Sequence, residues 1–201
     1  IEEIGQMMGI DLALNAILNQ RKELARVLAG TPLSVLEAGI PIIKDISQIT
    51  VSRTYDLVIS SPGGYPKDID VYQAQKALSS AVRIASQGGT VIIAAACPEG
   101  SGNFHYENWI MGKGSFAEVR RQFKAEGFRI GPHKAYLFAR DAENIQLKFF
   151  SEMETSLANK LLLNPIEDFQ AAIDESLAGL GPDPCVAVIP QAASMIPYFI
   201  K

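Results

Sequence analysis

The chain has 201 residues, 48% of them hydrophobic and 20% charged, the make-up of a globular protein with room for a sizeable core. A net charge of -4 and a pI near 5.3 give no basic footprint for nucleic acid, and no apolar run reaches the length of a membrane span. Two cysteines far apart in sequence make no disulfide framework, which points to the cytoplasm. The start Ile1-Glu2-Glu3, with no initiator methionine and no signal-like apolar stretch, reads as part of a longer protein.

Residues 1–10 are weakly patterned and could form a helical lead-in. The segments 12–18 and 23–29 flank the polar turn Asn19-Gln20-Arg21-Lys22 and suggest an antiparallel hairpin, with helix as the competitor because leucine and alanine are frequent. Thr31-Pro32 resembles an N-cap followed by proline at the first helical position, opening a helix to about Glu37. Residues 41–54 carry the chain across to a core sheet. From there the pattern is β-α-β: a buried strand at 55–59, a helix over 68–86 stopped by Gly88-Gly89, and a parallel strand at 90–96. A short segment around 106–109 and a helix over 115–126 follow. Gly131-Pro132 starts another helix, and 145–150 alternates like a strand with one wet face. Asn164-Pro165 opens a helix over 166–178 closed by Gly179, and 185–189 is the last strand, with Cys185 in the core. The expected fold is doubly wound α/β, a mostly parallel sheet with helices on both faces and an N-terminal β-hairpin appendage. Residues 1–54 are hairpin and connecting segment, and 55–201 are the core.

The chemistry concentrates in Ser60-Ser61-Pro62-Gly63-Gly64-Tyr65-Pro66-Lys67-Asp68 and the following Tyr72-Gln73-Ala74-Gln75-Lys76. Proline and paired glycines force a turn at the carboxyl end of a strand, where open α/β sheets bind ligands. Gly63 and Gly64 let backbone amides approach a cofactor or other ligand closely, and the helix start favours an anion. Apolar residues at Val71, Ala74, Leu78, Ala81, Val82 and Ala85 define a buried stripe, with Tyr72, Gln73 and Lys76 on one face away from it. That face suits a small carboxylate or phosphate: a cation, a neutral donor and a phenol or flat wall. The same residues would equally serve as a solvated helix face. Gln75 is turned about 100° from its neighbours and is expected to be silent when replaced.

Other constellations are weaker. Cys97 with His105 and Glu99 has the residue types of a thiol nucleophile, yet the glycine-flanked elbow is missing and Pro98 removes an amide that an oxyanion hole would use. Cys97, His105 and His133 show no metal-type spacing. Trp109 and Tyr106 read as packing aromatics. The glycine loop fits neither a Walker motif nor a dinucleotide fingerprint.

Together with Cys97-Pro98-Glu99-Gly100-Ser101-Gly102 and Gly131-Pro132-His133-Lys134-Ala135-Tyr136, the two motifs above resemble the C-terminal domain of the nickel-dependent lactate racemase family, in order along most of the chain. The resemblance implies a two-domain enzyme acting on lactate or another 2-hydroxy acid in the cleft between domains. It implies a nickel pincer nucleotide carried by an N-terminal domain that is this chain's partner. That cofactor takes a hydride from the substrate's α-carbon and returns it to the other face. What carries over to this chain is Tyr72, Gln73 and Lys76, with Gln73 and Lys76 on the substrate carboxylate, and Tyr136 as a further site aromatic. No metal ligand carries over, and the chain alone is expected to be inactive. The competing reading is a self-sufficient α/β module that binds a small acidic ligand.

Overall fold

A computed structural model describes residues 2–19 and 21–200; the lead-in residue Ile1 and the turn residue Gln20 lie outside the described residues. The chain divides into two compact units, Ile1–Thr50 and Val51–Lys201.

In the first unit, α1 (Glu2–Met7) precedes the strands β1 (Ala13–Leu18) and β2 (Leu24–Gly30), which pair antiparallel. The hairpin prevails over helix because Asn19 organises the turn: its side-chain oxygen accepts from the amides of Arg21 and Glu23, each at 2.9 Å. Thr31 caps α2 (Pro32–Ser47) as its spacing implies, accepting from the Ser34 amide at 3.3 Å. The helix runs ten residues past the expected end at Glu37, straight through Pro41. Pro41 and Glu37 are both exposed, so the carbonyl that proline leaves unpaired is open to water. Strand β3 (Gln48–Val51) crosses the division between the units.

The second unit holds β4 (Tyr55–Ser60), α3 (Val71–Ala81), β5 (Ala85–Ala94), α4 (Phe104–Ile110), α5 (Phe116–Glu126), α6 (Pro132–Asp141), β6 (Gln146–Phe150), α7 (Thr155–Lys160), β7 (Pro165–Ile166), α8 (Phe169–Ala178), β8 (Val186–Ile189) and β9 (Ile196–Phe199). Five strands form one sheet in the order β7-β6-β5-β4-β8, every pairing parallel. Successive residues of β4 serve opposite faces. Val58 joins the larger core with Leu78 of α3 and Phe138 of α6, while Leu57 joins Ile92 beneath Ala172 of α8. Helices therefore cover both faces of a parallel, doubly wound sheet. After β4 the chain leaves for β5 on one side, and β8 returns on the other. The end of β4 is a topological switch point, the usual location of a crevice in such sheets.

Several boundaries differ from expectation for identifiable reasons. Helix α3 stops at Ala81, and Gly88-Gly89 lie inside β5 rather than ending a helix. Here the β4–β5 register shifts between Tyr55 and Leu57, and a Cβ on Gly89 would come within 2.9 Å of the Asp56 carbonyl oxygen. Pro165 opens the two-residue strand β7 instead of a helix, and α8 starts after Asp168, whose carboxylate caps the Ala171 amide at 2.9 Å. β8 is not the last strand, since β9 follows it. Cys185 is half-buried ahead of β8, not in the core, and its sulfur accepts from the Arg53 guanidinium at 3.7 Å.

Candidate functional site

The loop after β4 and the loop after β8 frame one cleft. Pro66, Lys67, Ile69, Gln73, Lys76 and Ala193 line a cavity of about 480 Å³ there. Ala193 belongs to a short 3-10 turn, Ala192–Ser194, that packs beside α3. The turn is tied to the first loop through Lys67 Nζ, which donates to Ser194 Oγ at 2.6 Å.

Helix α3 begins under tight control. Asp70 caps it, accepting from the Gln73 amide at 2.7 Å. The amides of Val71 and Tyr72 donate to the carbonyls of Gly100 and Ser101, at 3.0 and 3.2 Å. All three leading amides are therefore used by the chain itself, so the expected anion site at the bare helix start is not formed. The loop 97–102 does this work, and it must come very close. A Cβ on Gly102, whose φ is +71°, would lie 2.2 Å from Asp70 Cγ. An anion in this cleft meets side chains instead.

Those side chains are Gln73 and Lys76. Lys76 is exposed and donates from Nζ to Gln73 Oε1 at 2.6 Å. One ammonium proton is used, two remain, and the Gln73 amide nitrogen is left as a donor. Together with Lys67 they give the cleft a cationic, donor-rich wall. Tyr72, expected beside them, faces a neighbouring group on α6. Its hydroxyl lies 3.5 Å from His133 Nε2, the two rings meet edge-on at 5.8 Å, and Lys134 Nζ sits 4.5 Å from the Tyr72 ring centroid.

His133 Nδ1 accepts from the Gly131 amide at 3.2 Å. In that neutral ring Nε2 carries the proton and donates to the Tyr72 oxygen, leaving the phenol proton free for a ligand. Burial lowers the affinity of His133 for a second proton; the Arg129 carbonyl opposes this, and Lys134 adds to it. Burial likewise lowers the pKa of Lys134, with Lys76 adding to the effect and Asp70 opposing it.

The remaining expected residues fall elsewhere. Tyr136 stacks on Phe123 of α5 with ring centroids 4.8 Å apart, in a different contact from that of Tyr72. Gly63 has φ +109° and its amide donates to Ser61 Oγ at 3.2 Å, while Gly64 has φ +72° with open space around its Cβ position. The Gly63 amide is thus occupied within the loop. Gln75 is not solvated: it is 3% exposed and bonded to Ser79, Asp141 and Lys134. Cys97 is buried, and burial, then Asp70 and Asp68, push its thiol up to about 12, so it is protonated and unreactive at neutral pH. His105 is exposed, and among the described residues no three His, Cys, Asp or Glu side chains gather as a metal site. Lys67 and Lys134 were not assigned roles from sequence. Both lay in quoted motifs, but the contact of Lys134 with Tyr72 depends on α6 being placed against α3.

Residues 50–197 match the family described as the lactate racemase C-terminal domain. The lactate racemase of Thermoanaerobacterium thermosaccharolyticum is 23% identical over 187 residues, and that of Lactiplantibacillus plantarum 25% identical over 187. Each alignment takes in 91% of this chain and 44% of the relative, so the chain spans somewhat under half the length of these proteins. The lactate racemase apoprotein structure from T. thermosaccharolyticum superposes with a TM-score of 0.90 at 21% identity, covering 98% of this chain and 48% of that one. A protein from Thermotoga maritima aligns with a TM-score of 0.67 at 14% identity, over 99% of this chain and 51% of its own.

Proposed function

We propose that this chain, which belongs to the lactate racemase C-terminal domain family, is the substrate-holding half of a nickel-pincer-dependent racemase or epimerase of 2-hydroxy acids. The observation that supports this most is the Lys76–Gln73 pair on the wall of the switch-point cleft. The two free ammonium protons of Lys76 and the Gln73 amide grip the substrate carboxylate. Tyr72, with its hydroxyl proton free, donates to a second substrate oxygen. A carboxylate fixed at one end presents its α-carbon outward, and near-attack geometry of this kind is sensitive to shifts of about 1 Å.

The nickel group supplies the hydride chemistry at that α-carbon when bound. Its attachment is proposed to lie in the half of the protein outside these residues; among the described residues no three His, Cys, Asp or Glu side chains gather as a metal site. That half is also the proposed partner, and the cytoplasm the proposed location. Among the described residues no helix is long and apolar enough to cross a membrane.

The test is chiral analysis of the full-length protein that carries this chain, given single enantiomers of lactate and of longer 2-hydroxy acids. Interconversion of at least one pair is expected. A protein that carries the cofactor yet inverts none of them contradicts the proposal.

A further inference from the structure

Lys134 is 7% exposed, and among the described residues it is the only buried lysine or arginine. No carboxylate among the described residues forms an ion pair with it. Buried cations ordinarily acquire a counter-ion, because an uncompensated charge out of water is costly. What holds this ammonium is neutral: Gln75 Oε1 at 3.2 Å and the face of the Tyr72 ring at 4.5 Å. The contact with Gln75 is enforced. Gln75 Nε2 donates to Ser79 Oγ at 2.6 Å and to Asp141 Oδ2 at 3.1 Å, which turns its carbonyl toward Lys134. Asp141 is fixed in turn by Ser79 and Arg140. A relay of polar side chains across the α3–α6 contact thus ends on a cation, and the cation ends on the ring of Tyr72, which the proposed function gives to the substrate.

The geometry points to Lys134 as a positioning residue for the 2-hydroxy acid: a fixed buried cation without an ion-pair partner that sets the Tyr72 ring and adds to the positive charge of Lys76, which the ligand carboxylate offsets. This rests on the proposed function for the identity of the ligand. The charged and titratable groups that bear on it are Lys76 and Asp70 around α3, Asp141 through Gln75, and Tyr72 and His133 beside it. Burial and Lys76 keep its proton affinity below that of an ordinary lysine, so an anion bound nearby raises that affinity again and binding takes up protons at pH values between the lowered pKa and the raised one.

The experiment is calorimetric titration of the full-length protein with racemic lactate. Lys134→Met is expected to weaken binding by more than about tenfold, the scale of a desolvated cation–π contact, while Lys134→Arg restores most of it. Tyr72→Leu combined with Lys134→Met should be no weaker than the weaker single variant, within about threefold, because one acts through the other. Over a pH series running from neutral up to the ordinary lysine value, the parent should take up protons on binding, read from buffer-dependent heats, and Lys134→Arg should bind without that uptake. Parental affinity in Lys134→Met, alongside lost affinity in Lys76→Ala, overturns this inference and leaves the proposed function standing. Parental affinity in Lys76→Ala instead overturns the proposed function. If Lys134→Met does not fold, the proton measurement on the parent and the arginine variant decides: no uptake by the parent, or equal uptake by both, overturns the inference.

Discussion

At Gln75 every polar group of the side chain is engaged inside the protein, donating to Ser79 and Asp141 and accepting from Lys134. Gln75→Ala strands those partners, and each unmet buried polar group costs about 1–3 kcal/mol. Calorimetry should show Tm lowered by several degrees; an unchanged Tm contradicts the relay. Tyr106 has the opposite character. Among the described residues its buried hydroxyl has no hydrogen-bond partner, and burial, then Cys97 and Glu107, raise its pKa. Tyr106→Phe should leave Tm unchanged or raise it, and a clear loss would reveal an unseen partner for the hydroxyl. Cys97, held protonated in the core, should resist alkylation in the native protein while half-buried Cys185 reacts first, as peptide mass mapping can read. For His133 the folded-state pKa lies below the usual imidazole value, chiefly through burial. The native state then binds fewer protons than the unfolded chain just below pH ~6.5. Its contribution to stability is complete above that pH and falls away as the pH drops through the lowered folded value. Replacing His133 by Phe should remove that part of the acid dependence of Tm. Gln73 and Lys76 could be placed from sequence because helical spacing alone fixes their face. Gln75 could not, since what buries it is α6, which begins some sixty residues later. Lys134 was hidden for the same reason, while Tyr136 in the same motif stacks against α5 instead.

The start of α3 is an element held by its neighbours. Three leading amides, the Asp70 carboxylate and the backbone of 100–102 form one joint, and Gly102 has no room for a side chain. Gly102→Ala combines a 2.2 Å clash with a left-handed φ of +71°. It should cost more than about 1 kcal/mol and weaken ligand binding as well, since it displaces the cap that sets Gln73. A variant with parental Tm and affinity would show that the joint is slack. The strand–loop–helix unit was readable at this scale because an apolar run, two prolines and paired glycines leave few alternatives. Gly88-Gly89 misled for an equally physical reason. The glycines that would end a helix are also those that let two strands approach across a register shift, and sequence does not separate the cases. Residues 37–47 extended a helix through Pro41, where exposure, unknown from sequence, decides whether the lost bond matters.

On the scale of the whole molecule, the parallel order β7-β6-β5-β4-β8 puts the loops after β4 and β8 on either side of one cleft, and the chain's proposed task is to hold a carboxylate there. In the proposal the chemistry at the α-carbon is left to the remaining half of the protein. Cleft and chemistry should therefore be separable by mutation. Gln73→Ala, which removes a neutral donor, should lower kcat/KM less than loss of the Lys76 charge. The most direct measurement is kcat/KM for lactate racemisation by the full-length protein carrying Lys76→Ala, with Tm and nickel content determined on the same preparation. A loss of more than about a hundredfold is expected, from a charge-assisted bond of roughly 1.5–3 kcal/mol together with misplacement of the α-carbon, while Tm and nickel stay at parental values. Near-parental racemisation by Lys76→Ala would contradict the account.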